Sequence, residues 1–421
     1  MRRFALAATA VAALAAGLQT PAFAAAPDVP TDVTVSWVAE RVNLKWSDAG
    51  EANQIFAEYD GGTPTLIASV TGEDGNVASL ANPLAASDKV RLIIKSVVGS
   101  EVSDGAATPV FDTRRPAVPV LQDANLAANL TTSLTWTLAA VADQTPGDPL
   151  DLPGTGAVRA NIDLPGTAIG RHDFAAGATS GVVPAQARPA AIRLSAVNEW
   201  GESAQSAKVV RLGTMGAGIT VPARAVYSSR LAIKSTLDLF TSEGREERAS
   251  GIPVELQARA KTADAWKTYG RYAGNTTAAF DTGIAALGNR QYRLLVPARK
   301  IVATNVIALT PATSTSAKSS ITLAKFLSAG FSPSTARVGA NVDLSARIQP
   351  ASTVKARLQF WDGRTWFDAG PLQFTKGYAL QHGGAGDEPG SARYRITVPA
   401  VVVNGLTVSA TTSSAFTLTV R

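Results

Sequence analysis

The sequence predicts an all-β chain, a tandem array of four β-sandwiches behind a signal peptide. Three observations predict it. Helical periodicity is nearly absent after the opening segment, and short runs alternate apolar with polar residues. Clusters of Gly, Pro, Asn and Asp bound those runs at the roughly 8–12-residue spacing of sandwich strands. Two different sets of anchor residues each occur twice along the chain.

The opening segment reads as an address. Met1-Arg2-Arg3 is a short basic start, Phe4 to Leu18 is an apolar run, and Pro21-Ala22-Phe23-Ala24-Ala25 supplies small residues in A-x-A spacing. This is the three-part layout of a secretory signal peptide over residues 1–24, with cleavage after Ala24. The apolar run is short for a membrane span, and the small-residue site follows it directly. Arg2-Arg3 invites a twin-arginine reading, but the general secretory route is preferred because the pair lacks the usual flanking pattern. The chain ends in an alternating strand, Thr417 to Val420, with no sorting signal or apolar tail after it. The expected product is exported and has no membrane span.

The strands follow in order. Val33-Thr34-Val35-Ser36-Trp37, Val42-Asn43-Leu44-Lys45-Trp46 and Leu134-Thr135-Trp136-Thr137-Leu138 alternate, as do Val209 to Leu212, Leu231 to Lys234 and Val342 to Ser345. Such period-2 runs are half-buried strands.

Repeats then set the domain count. In the first half, Leu44-Lys45-Trp46 matches Leu134-Thr135-Trp136, and Val90 to Val97 matches Ala190 to Val197. A Gly turn and a Ser-containing return follow each, Gly99 to Ser103 and Asn198 to Ser203. In the second half, Val254-Glu255-Leu256-Gln257 matches Ala356-Arg357-Leu358-Gln359, Trp266 matches Trp366, and Tyr292-Arg293 to Pro297-Ala298 matches Tyr394-Arg395 to Pro399-Ala400. Pro and small residues cluster at Thr113 to Pro116, Gly213 to Gly218 and Pro311 to Ser320. The expected modules are therefore 25–115, 116–213, 214–312 and 313–421, joined by short linkers into an elongated string. Length alone, at about 150 residues per domain, would have suggested three.

At these residues the first pair resembles fibronectin type III domains. The resemblance rests on an N-terminal Pro-bearing strand, a Trp on the second strand, and the late run Ser195-Ala196-Val197-Asn198-Glu199-Trp200-Gly201-Glu202-Ser203. The first module carries a degraded form, Lys95 to Ser100, and both depart from the family at its late-strand Tyr, where Val90 and Ala190 or Ala191 stand. The second module also carries a Pro/Gly/Asp insertion from Asp143 to Gly156. The second pair resembles Ig-like sandwich repeats of secreted actinobacterial proteins: a Leu-Gln strand, a Trp after a hairpin, and a Tyr-Arg strand before a Pro. Together they imply a tandem array of Ig-like/fibronectin type III-like sandwiches, used for spacing, adhesion or ligand binding, with no catalytic residues to carry over.

Composition narrows the chemistry. The chain has no Cys, which excludes disulfides, Cys-ligated zinc, thiol nucleophiles and a lipidated-Cys anchor. Each module must be held by its own core, which domains of about 100 residues can supply. The net charge is +6, and removal of Arg2 and Arg3 with the leader leaves a mild +4. No Lys/Arg run forms a concentrated basic face, so nucleic acid is not an expected partner.

Two histidines, His172 and His382, lie in different expected modules. There is no Gly-x-Ser-x-Gly elbow and no His-Glu-x-x-His motif, so both read as solvated surface residues. Gly383 to Gly390 is Gly-rich, but it lies between antiparallel strands and ends in Pro-Gly, which reads as a hairpin loop rather than a phosphate cradle. Glu73-Asp74 and the group Asp143, Asp148 and Asp151 lack ligand spacing for Ca²⁺ and read as polar turns. No catalytic residue, metal site or cofactor is expected.

The aromatics are the informative group. Trp46, Trp136, Trp266 and Trp366 occupy equivalent places and read as core. Trp361 differs: if Leu358 and Phe360 face the core, it points outward beside an Asp362-Gly363 turn, with Phe367 nearby. Trp200 sits in a turn between Glu199 and Gly201. Trp200, Trp361 and Phe367 are thus candidate ligand contacts, able to stack on sugar rings or anchor a protein. The plainer and preferred reading is that they pack on a neighbouring module or cover their own hairpin.

The expected function is a secreted, non-enzymatic adhesion, scaffold or ligand-binding protein of the bacterial cell surface or exterior. Its partner would be an extracellular protein or a cell-wall polysaccharide. The alternative is a carbohydrate-binding accessory protein of cell-wall or polysaccharide processing. An enzyme on an unfamiliar sandwich scaffold is the third class.

Overall fold

A computed structural model describes residues 26–38, 41–80, 84–140, 143–152, 156–241 and 244–421. The expected signal peptide, residues 1–24, lies outside the described residues. The chain is all-β. Among the described residues the sole helical piece is the short turn Gly72–Asp74. No helix among them is long and apolar enough to cross a membrane. Two compact units form: the residues up to Ala117 with Ala139–Ala157 and Ala196–Ala204, and Val118–Leu138 with Val158–Ser195 and Gln205–Arg421.

In the first unit, Arg41–Ser47 lies between Thr31–Val38 and Val77–Leu80 in one sheet. Its period of two puts Val42, Leu44 and Trp46 inside and Arg41, Lys45 and Ser47 outside. The facing sheet is built on Ala52–Tyr59 and Val90–Val98 and contributes Ile55, Ala57, Val90, Leu92 and Ile94 to the same core. The buried Trp46 keeps its indole N–H satisfied, 3.1 Å from the Asp48 carboxylate. Asp48 also accepts from Asn53 and Gly50. Burial works to raise its pKa, and these hydrogen bonds outweigh burial and hold it low.

In the second unit, the sheet Val120–Leu126, Thr132–Thr137, Ser180–Val183 faces one that runs from Gly170–Asp173 through Ala157–Asp163 and Ala190–Asn198 to Val209–Leu212. That second sheet does not end there. The hairpin Arg299–Ala303/Val306–Thr310, which the sequence places in the third module, continues it. Val306–Thr310 pairs in parallel with Val209–Leu212, matching Val210 to Ile307 and Leu212 to Leu309. Ile307 and Leu309 are 0% and 2% exposed and join Trp136, Ile192 and Leu194 in one core. Lys300 adds an ion pair to Asp123 and a 2.9 Å hydrogen bond to Asn125.

The same device recurs further along. The hairpin Val401–Val403/Leu406–Val408 turns at Asn404-Gly405, both with positive φ, as a two-residue type I′ turn requires. Asn289 donates its N–H to Thr407 O at 2.7 Å, and Ser409 N donates to Thr322 O at 2.8 Å. The Asn289 side chain bridges Ser409 and the Thr322 N–H. Gly288 has to be glycine here, because a Cβ would sit 2.5 Å from the Leu406 Cβ. Both hairpins occupy the same place in their repeats, directly after the Tyr-Arg strand and its Pro-Ala. Each is seated on the strands that precede it by one repeat.

The remaining sheets of this unit enclose further buried clusters. Leu237, Ile252, Val254, Leu294 and Tyr292 lie between Lys234–Phe240 and the sheet containing Ser250–Arg259 and Arg290–Val296. Leu344, Leu358, Phe374 and Ile396 lie between Asn341–Gln349 and the sheet containing Val354–Trp361 and Gly390–Val398.

The Lys300–Asp123 pair carries a pH signature. The Lys300 ammonium holds the Asp123 carboxyl below its ordinary value. A depressed folded-state pKa stabilises fully above the unfolded value, about 3.9, and that contribution is lost as pH falls through the folded value. Thermal unfolding followed from pH 5 to 2 should show a steeper loss for the native chain than for Asp123→Asn. Parallel curves would deny the pair any role in seating the hairpin.

Candidate functional site

The repeated anchors of the second half build surface clusters. Gln257 and Arg293 are cross-strand neighbours on adjacent strands, and so are Gln359 and Arg395. Arg293 Nε donates to Gln257 Oε1 at 2.9 Å, and Arg395 Nε donates to Gln359 Oε1 at 2.7 Å. The amide fixes the guanidinium plane, and a Trp lies against it. Arg293 and Arg259 stand 4.5 and 4.4 Å from the Trp266 ring centre, and Arg395 stands 4.3 Å from that of Trp366. Each such cation–π contact is worth about 0.5–1 kcal/mol at an exposed site. Burial and the like charge of Arg259 both lower the Arg293 pKa.

This corrects the core assignment of two tryptophans. Trp46 and Trp136 are each 2% exposed and central to their cores, but Trp266 and Trp366 are only half-buried on outer sheet faces. The reason is register. Leu256 and Leu358 take the inward positions, so the following Gln points outward and the Trp that covers it is outside as well.

At the second cluster, Trp361 and Trp366 are direct cross-strand partners with ring centres 5.3 Å apart. The loop Asp362 to Thr365 joins them, and Asp362 Oδ1 accepts the N–H groups of Arg364 and Thr365 at 2.7 and 2.6 Å. Those hydrogen bonds hold the Asp362 carboxyl below its ordinary pKa. Arg393, opposite Trp361, is exposed, while Arg357 pairs with Asp368 at 2.7 Å. The outer face thus presents two indoles edged by Arg393 and Arg395. It can stack a planar or ring-shaped group and donate hydrogen bonds around it.

The three candidate contact residues are not brought together. Phe367 is 47% exposed, but it stacks on Phe360 at 5.7 Å, one position out of step with Trp361 and Trp366 and so on the other face of the strand pair. Phe360 is 36% exposed at the end of the sheet, not in the core. Trp200 occupies a turn as expected, but its ring is only 4% exposed. It stacks on Phe111 at 5.8 Å and leans on Trp37 at 4.9 Å inside the first unit. The 143–156 insertion sends Leu150 into that same core, and Leu150 O accepts the Trp37 indole N–H at 2.8 Å. Phe111 and Leu150 received no role from the sequence, and Trp37 none beyond its strand. Two leucines within a Pro/Gly/Asp run, Leu150 and Leu152, were the one signal available, and only Leu150 is buried.

The polar groups considered for chemistry are mostly engaged in their own loops. Asp148 accepts from the N–H groups of Leu150 and Asp112, Asp151 from that of Gly147, and Asp143 from that of Thr145. Burial, with Asp148, Asp143 and Asp151 nearby, raises the Asp112 pKa. His382 Nδ1 lies 2.7 Å from Asp343 on an exposed strand, and His172 meets Phe174 edge-on at 5.1 Å. The Gly383 to Gly390 segment is not a hairpin loop: it links Tyr378–Gly384 in one sheet to Gly390–Val398 in the facing one. Among the described residues no cluster of three or more His, Asp or Glu side chains is arranged to hold a metal ion.

No protein-family model matches the chain, and no curated protein matches it. Solved structures do. The chain is similar to the FN1–FN3 domains of chicken CNTN1, at 11% identity and a TM-score of 0.22, over 69% of this chain and 98% of that one. It is similar to a two-domain fibronectin type III segment of chicken tenascin, at 14% identity and a TM-score of 0.21, over 43% of this chain and 98% of that one. It is also similar to the three N-terminal domains of the bacteriophage RB49 highly immunogenic outer capsid protein, at 14% identity and a TM-score of 0.25, over 72% of this chain and 98% of that one.

Proposed function

We propose that the chain is a secreted, non-enzymatic protein of the bacterial cell surface or exterior, with sandwich modules at 25–115, 116–213, 214–312 and 313–421 after a leader of residues 1–24. Its work is adhesion, scaffolding or ligand binding. The observation that supports this most is the way repeats join. Hairpin 299–310 extends a neighbouring sheet strand by strand, and hairpin 401–408 is hydrogen-bonded to the preceding repeat, which suits a load-bearing scaffold better than a set of loosely tethered domains. The fibronectin type III-like and Ig-like character of the modules belongs to this proposal. Sequencing the N-terminus of the product exported by a bacterial host should read Ala25 first. A product retained in the cytoplasm with Met1 intact overturns the proposal.

A second reading, a carbohydrate-binding accessory protein of the cell wall or of polysaccharide processing, is favoured by the paired indoles of Trp361 and Trp366. Retention of the mature chain on insoluble envelope polysaccharide is its test. Trp361→Ala should lower retention by roughly tenfold, about one stacked aromatic's share of binding. Phe367→Ala, on the other face, should leave it unchanged. A parent chain that is not retained at all sinks this reading and leaves the scaffold reading standing.

A further inference from the structure

Arg290 is a buried cation. It lies at the inward-facing end of Arg290–Val296 and is only 8% exposed. Its guanidinium sits 4.3 Å over the Tyr269 ring, and its Nε is buried with no hydrogen-bond partner. Among the described residues no carboxylate pairs with it. A desolvated guanidinium left in this state is costly, and buried charges in proteins are ordinarily paired.

The group is not sealed in. It lines a cleft of about 460 Å³, within the size range of small-molecule sites. Arg259, Lys267 and Tyr269 line one part, and the turn Asn404-Gly405-Leu406 of the later hairpin lines another. The single acid in the lining is Asp264, whose Oδ2 already accepts the Lys261 N–H at 2.9 Å. Three cations therefore face the cleft against one engaged carboxylate. The hairpin turn closes it where Gly288 lets Leu406 approach, so the cleft exists only where the two repeats are seated together.

We infer that this cleft is an anion-binding site. It takes an oxyanion, phosphate or carboxylate, carried on a group of about monosaccharide size, with the oxyanion on Arg290. A guanidinium presents donors in a fixed fork that matches both oxyanions. Lys267 adds charge at the rim, and the hairpin turn bounds the neutral part of the ligand. The site is separate from the Trp361/Trp366 face and does not depend on the glycan reading.

The test is calorimetric titration of the mature chain with glucose 1-phosphate and with glucuronic acid, at matched ionic strength, with glucose as the neutral control. At least one anion should bind while glucose does not, and which of them binds identifies the oxyanion. Lys267→Met should weaken binding severalfold, and Arg290→Met by about tenfold or more. Because Arg290→Met can fail to fold, the Gly405 amide resonance gives an independent readout on the native chain and should shift during the titration. The inference is overturned if neither anion binds better than glucose. It is equally overturned if binding survives Arg290→Met unchanged, or if the indole resonances of Trp361 and Trp366 move while Gly405 does not.

Discussion

Replacing Ile307 and Leu309 with alanine should unfold residues that lie about a hundred positions earlier in the chain. Both side chains are buried in the core that holds Trp136, Ile192, Leu194, Val210 and Leu212. Truncating one such residue costs about 2–5 kcal/mol, and the two are close enough to couple, so the pair need not sum. The backbone of Val306–Thr310 also satisfies Val209–Leu212 along its outer edge. Hydrogen exchange should show the amides of Val209 to Leu212 and Thr132 to Thr137 losing protection in the double variant. The third core, around Leu237 and Leu294, should stay protected. If instead protection is lost only in the hairpin, the pairing contributes nothing to the earlier core. A chain cut at residue 213 is expected to carry the same defect, because it lacks the hairpin altogether.

The second large effect concerns Trp200. Trp200→Ala should cost about 3–5 kcal/mol, the range for removing a buried aromatic, because its ring fills the space between Trp37 and Phe111. Asn198 reinforces the turn by accepting the Trp200 N–H at 3.0 Å and donating to Arg114 O at 2.7 Å. Chemical denaturation should show the loss in the transition of the first unit, together with a change in the fluorescence of Trp37. Retention on polysaccharide should not respond while the chain is folded. A variant of native stability with weakened ligand binding would make Trp200 a ligand contact, the alternative its turn position left open.

How much of this was legible depends on the range of the interactions involved. Period-2 alternation is a local property, so the strands around Val42, Leu134 and Val342 could be read directly. The repeated Leu-Gln, Trp and Tyr-Arg anchors could be read too, but not their location. Whether Trp266 or Trp366 faces in or out turns on one step of register, and a bulge after Leu256 and another after Leu358 sit at that step. For the same reason Trp361 found Trp366 as its partner, and Phe367 was carried to the opposite face.

The sequence by itself determined that the chain is all-β, that its second half repeats, and that thiol chemistry is closed to it. These follow from composition and from patterns a few residues long. Only the tertiary structure decided which repeat each hairpin and loop serves. Hairpin 299–310 completes an earlier core, Leu150 and Trp200 fill the core of the first unit, and Arg290 is left facing a cleft that hairpin 401–408 closes. A side chain's burial is set by whatever is packed against it, and here that partner is often a residue about a hundred positions away. Local pattern carries no record of such a partner, which is why +6 of net charge said little about anions while one buried guanidinium facing a cleft says more.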